Sequence, residues 1–136
     1  MGVVSPIGNG ISEFNRQLRS GLSGRCELSR FSLPQFPVGF VHEVKNFDPH
    51  QFGVHLMDPF IQYAVAATRE AVESSGLDLR SVDPYRVGIS VSSSKGGVST
   101  VERFKERFKK NPSALLGARD YANTVPNFAA QWIARR

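Results

Sequence analysis

The sequence predicts an α/β fold within a single domain, and three observations lead to this class. A strongly patterned helix from Asp58 to Gly76 is followed by a short β-branched run at 87–91, and a second helix follows a glycine-rich turn. This helix–strand–helix order is typical of α/β domains. The 136 residues suit one domain. Only a few strands are recognisable, against about five in an ordinary sheet, so we expect the sheet to be incomplete.

The first part of the chain predicts one helix, one loop and one strand. Residues 11–20 form an amphipathic pattern, because Ile11, Phe14 and Leu18 fall on one helical face. The stretch 20–37 is rich in Gly, Ser, Arg and Pro and has no stable period, so we expect a surface loop there. Alternating residues then predict a short strand that includes Val38, Phe40, His42 and Val44.

The helix that begins at Asp58 has the clearest signals in the chain. Asp58 is a favourable N-cap, Pro59 occupies the preferred first helical position, and Gly76 is a typical C-terminal stop. One stripe of this helix is apolar or small: Ile61, Ala64, Val65, Thr68, Ala71 and Val72. Its alanines permit close packing against another helix or a sheet.

Two further helices are predicted after the 87–91 strand. The pattern Ser99-x-x-Glu102 is a capping box that predicts a helix start just after the glycine turn, and Asn111-Pro112 predicts its end. The apolar face of this helix consists of Val101, Phe104 and Phe108. A last helix is expected after Pro126, with a buried side that holds Phe128, Ala129, Trp132 and Ile133.

The charge of the chain favours an acidic partner without naming one. The net charge is +5 and the isoelectric point is near 9.8. The densest basic run, on the helix side opposite Phe104 and Phe108, comprises Arg103, Lys105, Arg107, Lys109 and Lys110. This run is either a solvated helix face or a docking patch for an acidic partner. Nucleic acid is not expected, because no recognised binding motif or aromatic platform accompanies the charge.

The glycine turn also resembles a variant phosphate loop. Lys95-Gly96-Gly97-Val98-Ser99-Thr100 is similar to the pattern K-G-G-x-G-K-[ST] of some ATPases. Ser99 and Thr100 stand where that pattern has its last glycine and its phosphate-binding lysine. We therefore expect no nucleotide site, and a tight strand-to-helix turn explains the glycines.

Cysteine and histidine usage predicts no metal site and no cofactor. Cys26 is the single cysteine, which excludes an internal disulfide and a multi-cysteine zinc site. His42, His50 and His55 fit no metal-ligand spacing and have no partner for acid–base work. The start has no secretory pattern, and no apolar run reaches the about 20 residues of a membrane span. We expect a cytoplasmic protein that does not contact membranes.

Blocks of sequence along almost the whole chain carry a family resemblance: 1–9, 18–24, 44–49, 57–64, 75–78, 86–97 and 123–130. The most specific are Met57-Asp58-x-Phe60-Ile61-Gln62-Tyr63-Ala64 and the glycine turn with the run before it. In this order the blocks resemble β-ketoacyl-acyl carrier protein synthases, the condensing enzymes of fatty-acid and polyketide synthesis. The resemblance implies part of the N-terminal half of a thiolase-like layered fold, working as a homodimer or with a partner synthase subunit.

The resemblance implies a two-stage condensation. A cysteine takes an acyl group as a thioester, and decarboxylated malonyl-carrier protein then attacks it, supported by two histidines and backbone N–H groups. In the family these residues lie beyond the position of Arg136, and the first strand precedes Met1. We therefore expect residues 1–136 to be a single partial domain that is inactive by itself. The alternative is a split or decayed domain that binds a partner subunit or an acyl carrier protein.

Two non-catalytic surfaces follow from the resemblance. The residues expected to border the acyl pocket are Lys95, Gly96, Gly97 and Tyr121. Long-chain members tend to have an apolar residue in place of Lys95, and a buried unpaired charge is costly, so Lys95 either turns away or marks a different acyl substrate. The stretch 51–56 is nearly uncharged, so the candidates for docking the acidic carrier protein are Arg103, Lys105, Arg107, Lys109, Lys110 and Arg119.

Overall fold

The computed structural model describes residues 1–29 and 39–135, which form a mixed α/β fold as predicted. The strands are β1 (Val4–Ser5), β2 (Gly8–Asn9), β3 (Arg25–Cys26) and β4 (Val41–His42). The α-helices are α1 (Ile11–Arg19), α2 (Pro59–Ser75), α3 (Val98–Lys110), α4 (Ala118–Thr124) and α5 (Phe128–Ala134). Single 3-10 turns lie at Pro49–Phe52 and Pro84–Arg86.

The four strands seen in the described residues form two separate antiparallel pairs. In the first, Val4 of β1 lies opposite Asn9 of β2 and closes a tight hairpin. In the second, Cys26 of β3 lies opposite Val41 of β4. The strand predicted around Val38 to Val44 is confirmed in a shorter form as β4, whereas β3 lies within the predicted loop. Residues 30–38, which include most of that loop, lie outside the described residues.

α2 is the centre of the fold, because β1, the 49–52 turn and α5 all pack against it. Among the residues that the structure describes, the apolar side chains that are fully or almost fully buried are Val54, Ile61, Ala66 and Ala129. A Cβ atom at Gly2 would collide with the backbone carbonyl of Ala67. The N-terminal segment therefore runs directly over α2, as the small side chains of this helix allow.

Glu70 of α2 fastens the N-terminal part of the chain to the helix. Its Oε2 accepts the N–H of Val3 at 2.9 Å, and its Oε1 accepts the N–H of Ile11, the first residue of α1, at 2.7 Å. The N-cap of α1 is Gly10, which has no side chain to cap the helix. One carboxylate thus accepts the backbone N–H of the residue before β1 and that of the first residue of α1.

The predicted strand at 87–91 is not formed. No described residue pairs with it, and Val87 and Ile89 remain 43% and 39% exposed. A strand is defined by the hydrogen bonds that it makes to a neighbour. The β-branched run therefore stays without strand structure, since the described part of the chain offers it no neighbouring strand.

The predicted start of α3 is wrong by two residues, and α4 was not predicted. α3 begins at Val98 with Gly97 as N-cap, so Ser99 lies inside the helix and does not cap it. α4 is short and has no apolar period that could have identified it. Val101 and Phe108 are 52% and 47% exposed, so the apolar face of α3 is largely uncovered.

None of the helices in the described residues combines the length and the apolar composition that a membrane span requires.

Candidate functional site

The glycine turn between 93 and 97 packs directly on the end of α4. The N–H of Gly96 donates to Ser93 Oγ at 3.1 Å, and Gly96 has a φ of +63°, which favours glycine. A Cβ atom at Gly96 would collide with the carbonyl of Thr124, and one at Gly97 with the carbonyl of Asn123. Both glycines are needed because the two backbones touch here.

A buried polar cluster lies beside this contact and joins α2, α3 and α4. Asp58, Thr100 and Asn123 are only 3%, 2% and 2% exposed. Asp58 Oδ2 accepts two hydrogen bonds from Thr100, from its N–H at 2.8 Å and from its Oγ1 at 2.9 Å. The N–H of Asp58 donates to Asn123 Oδ1 at 2.9 Å. Each buried polar group therefore has the partner that burial demands.

Further hydrogen bonds link the cluster to a side chain of α3 and to backbone carbonyls of its neighbours. Arg103 Nη2 donates to Thr100 Oγ1 at 3.1 Å. Asn123 Nδ2 donates to the carbonyls of Arg119 at 3.1 Å and Leu56 at 3.4 Å. The cluster is thus continuous from the side chain of Arg103 to the backbone of α4.

Asp58 has a different role from the one that the sequence predicts. It is the N-cap residue of α2, but its side chain makes no capping bond to α2. Its carboxylate instead satisfies the N–H of Thr100 in the first turn of α3, whose own N-cap is Gly97. A carboxylate at this place also interacts favourably with the positive end of the helix dipole.

The hydrogen bond from the N–H of Thr100 to Asp58 argues against a phosphate site at the glycine turn. A phosphate loop binds its ligand with free N–H groups at the helix start. Here the N–H of Thr100 is taken by a carboxylate, and both glycines face α4 rather than open space. The expectation that the turn is structural agrees with this geometry.

The predicted pocket-border residues fall into two pairs. Gly96 and Gly97 are buried against α4, whereas Lys95 and Tyr121 are exposed, Tyr121 by 64%. Tyr121 lies on α4, where its carbonyl accepts the Oγ1 hydrogen of Thr124 at 2.7 Å. The contact of Gly96 with Thr124 thus brings the glycine turn to the helix that holds Tyr121. Within the described chain Lys95 has no ion-pair partner.

Two of the predicted docking residues, Arg107 and Arg103, are held by hydrogen bonds to other residues of the molecule. Arg107 Nη2 lies 2.8 Å from Asp120 Oδ2 and 3.2 Å from the carbonyl of Leu115, and its guanidinium lies 5.3 Å from the Phe104 ring centre. Its hydrogen bond holds the pKa of Asp120 below the ordinary value. The prediction that the basic run lies opposite Phe104 is therefore wrong for Arg107. Arg103 is bonded to Thr100, as described above.

The remaining predicted docking residues differ in whether a carboxylate pairs with them. Lys109 Nζ lies 2.9 Å from Glu106 Oε1, and this hydrogen bond lowers the pKa of Glu106. Lys105, Lys110 and Arg119 are exposed and have no ion pair with any described residue. Lys105 and Lys110 of α3 and Arg119 of α4 therefore present positive charge to solvent.

Cysteine and histidine are not arranged as a nucleophile and a base in the described residues. Cys26 Sγ donates to the carbonyl of Val41 at 3.5 Å. His42 follows Val41 in β4 and points to the opposite face of this strand pair. His50 and His55 stack on each other with ring centres 4.2 Å apart. No thiol–imidazole pair is formed.

Comparison with known proteins places these features in a family context. A family model described as "Beta-ketoacyl synthase, N-terminal domain" matches residues 1–135. The 3-oxoacyl-[acyl-carrier-protein] synthase 2 of Coxiella burnetii is 36% identical over 120 residues, which cover 85% of this chain and 27% of that protein. The protein of the same name from Vibrio cholerae is 35% identical and covers 75% of this chain and 26% of that protein.

Two solved structures share the fold. "The ishigamide ketosynthase/chain length factor" matches 98% of this chain and 34% of its own chain, with a TM-score of 0.83 and 29% identity. The ketosynthase complex "AntDE:AntF", described as a type II PKS acyl-carrier protein with its ketosynthase, matches with a TM-score of 0.75 and 20% identity. The chain spans about a quarter to a third of the length of the proteins it matches.

Proposed function

Because the chain belongs to the β-ketoacyl synthase family, whose N-terminal domain it matches, we propose that it forms part of a condensing enzyme of fatty-acid or polyketide synthesis. The reaction would join an acyl thioester to the carbanion left when malonyl-carrier protein loses carbon dioxide. The observation that carries this proposal is the match of the family model over residues 1–135. The described residues supply no nucleophile–base pair, so their part in the reaction is to bind and position.

The acyl-binding part of the proposal concerns the glycine turn and α4. We propose that Lys95, Gly96, Gly97 and Tyr121 border the acyl pocket. The contacts of Gly96 and Gly97 with α4 support this, because they hold the turn and the helix of Tyr121 together. Lys95 is exposed, so its ammonium group stays hydrated and does not carry the cost of burial. An acyl chain with a polar or acidic group at this position would suit Lys95 better than a saturated chain.

The carrier-binding part of the proposal concerns the free basic residues. Lys105, Lys110 and Arg119 are the strongest candidates to dock an acidic acyl carrier protein, because their charges are not neutralised by described residues. Lys109 is partly neutralised by Glu106, and Arg103 and Arg107 already bind Thr100 and Asp120. The structural relative AntDE:AntF is a ketosynthase in complex with an acyl-carrier protein, which is consistent with a partner of this kind.

Titration with a purified bacterial acyl carrier protein tests this docking. The double variant Lys105→Glu with Lys110→Glu should weaken binding by about tenfold or more, because it reverses two charges at the contact. Wild-type binding should also weaken as salt rises, since exposed charges are screened. The matched control is Arg19→Glu with Arg80→Glu, which changes the net charge equally at exposed residues outside α3 and α4. Equal loss in both double variants, or binding that salt does not affect, would contradict the docking surface.

A second, non-catalytic function is favoured by the uncovered apolar side of α3. Val98, Val101 and Phe108 are about half exposed, and Leu115 is 86% exposed. Contiguous exposed apolar surface is typical of protein–protein interfaces. We propose that this side binds a second copy of the chain or a partner synthase subunit, in the cytoplasm, where the thiol of Cys26 would stay reduced.

A further inference from the structure

Asp58 makes two connections that together enclose the glycine turn. Helix α3 begins directly after Gly97. The side chain of Asp58 binds the first turn of this helix through Thr100. Its own N–H binds Asn123, whose carbonyl meets Gly97. The turn therefore lies between two elements that are both tied to one residue at the start of α2.

We propose that Asp58 is a positioning residue that holds the 93–97 turn in its place against α4. On the proposed function, which this inference rests on, the turn and α4 border the acyl pocket, so Asp58 sets the shape of that border without touching the acyl chain. Neither the family resemblance nor the N-cap pattern assigns this role to Asp58.

The chemistry of the site favours a carboxylate over any other side chain. Thr100 presents two donors to one oxygen, and a charged acceptor makes such bonds stronger than a neutral one. The positive end of α3 offsets part of the cost of burying the charge. An asparagine could keep one acceptor oxygen but would lose the charge, and an alanine would leave both Thr100 donors buried without a partner.

Glu70 provides a matched control, because it makes the same kind of contact elsewhere on α2. It also accepts backbone N–H groups of distant segments, those of Val3 and Ile11, and it caps a helix whose N-cap is glycine. A general loss of stability would affect both ends of α2. Loss of positioning at Asp58 would affect only the glycine turn.

Amide hydrogen exchange followed by NMR on the whole chain tests the proposal. In Asp58→Asn we expect the N–H of Gly96, which Asp58 does not touch, to exchange about tenfold faster. The N–H groups of Val3 and Ile11 should change much less. Glu70→Gln should give the reverse pattern. Equal acceleration at Gly96 and at Val3 in both variants would overturn the proposal, because it would show only a global effect.

Variants at Thr100 keep the test decisive if Asp58→Asn does not fold. Thr100→Ser retains the hydroxyl donor and should leave the Gly96 exchange close to wild type. Thr100→Val has nearly the same shape but lacks the hydroxyl, so Gly96 should exchange faster. If both variants behave alike at Gly96, the side-chain connection has no positioning role and the proposal fails.

Binding of a fluorescent acyl-pantetheine thioester separates this inference from the proposed function. If wild type binds the thioester, Asp58→Asn should weaken binding by about tenfold while Glu70→Gln has little effect. Unchanged binding in Asp58→Asn would contradict the role of Asp58 at the border. If wild type itself binds no thioester, the proposed acyl pocket is wrong, and the exchange of Gly96 alone decides whether Asp58 positions the turn.

Discussion

Gly97 illustrates how one absent side chain can determine a contact between two elements. Its φ is −82°, which any residue adopts, so the reason for glycine is space and not backbone strain. A Cβ atom would meet the Asn123 carbonyl and the Thr124 Cα. The backbones of the turn and of α4 are therefore in direct contact at this residue.

Replacement of Gly97 by alanine should lower the free energy of unfolding by about 1–3 kcal/mol, the usual cost of overpacking a close contact. Chemical denaturation followed by circular dichroism measures this. The matched control is Gly88→Ala, where an added Cβ has no neighbour within 4 Å. Equal stability of Gly97→Ala and Gly88→Ala would show that α4 can move away at little cost.

The ion pair between Asp120 and Arg107 predicts that the stability of the fold depends on pH. The hydrogen bond from Arg107 lowers the pKa of Asp120 below the ordinary 3.8. A lowered folded-state pKa means that the ion pair stabilises the fold above pH 3.8 and that this contribution is lost as the pH falls through the folded-state value. Because the pair is partly exposed, its contribution should be about 0.5 kcal/mol.

An NMR titration of the Asp120 carboxyl group tests the cause of this shift. In Arg107→Gln the pKa should rise toward the ordinary value, since the main hydrogen bond from a cation is lost. In Lys105→Gln, which removes a charge from the same helix without a bond to Asp120, it should change little. A pKa that stays low in Arg107→Gln would assign the shift to another group.

At the scale of elements, α2 stabilises its neighbours through carboxylates as well as through apolar packing. Both α1 and α3 begin after a glycine that cannot cap them, and both receive a cap from α2, through Glu70 and Asp58. Sequence patterns describe caps within a few residues of a helix start. These caps come from 59 and 42 residues away, which is why the sequence could not predict them.

The packing of α2 depends on Ile61, which is fully buried. Ile61→Ala should lower the free energy of unfolding by about 2–5 kcal/mol, because it leaves a cavity that the helix cannot fill. Leu115→Ala, at a position 86% exposed, is the control and should have almost no effect. Thermal and chemical unfolding of the two variants measure the difference, and similar values would show that α2 is not the core of the fold.

The elements best predicted are those whose signals are local. α2 carries Pro59 at its start and Gly76 at its end, and the helix occupies Pro59–Ser75 as expected. The 87–91 run has the composition of a strand, but strand structure requires a neighbour that local sequence does not supply. For the same reason the glycine turn could be identified from sequence, whereas its contact with Asn123 and the bond from Asp58 to Thr100 could not.

At the scale of the whole molecule, the described chain has a small core and much uncovered apolar surface. Its fully or almost fully buried apolar side chains are Val54, Ile61, Ala66 and Ala129. Large apolar side chains on α3 and after it remain exposed, among them Val101, Phe108 and Leu115. A protein with such a surface is expected to associate.

Sedimentation velocity tests whether the α3 side is the interface. The double variant Val101→Ser with Phe108→Ser should reduce self-association, because it removes apolar area from this side. Leu79→Ser, at a half-exposed position after α2, is the control and should leave association unchanged. A monomeric wild-type chain would leave only a different synthase subunit as the proposed partner, and equal association in all variants would exclude this side.

The contact between the N-terminal segment and α2 has a consequence for how the chain folds during synthesis. Val3 binds Glu70, 67 residues further along the chain, and the amino group of Met1 binds Ser74 Oγ, 73 residues further. Ribosomes add about 5–20 residues per second, so several seconds pass between the synthesis of Val3 and that of Glu70. During that time Val3 and β1 are without the helix against which they lie in the folded chain. The segment before α1 therefore completes its native contacts only after α2 has been synthesised.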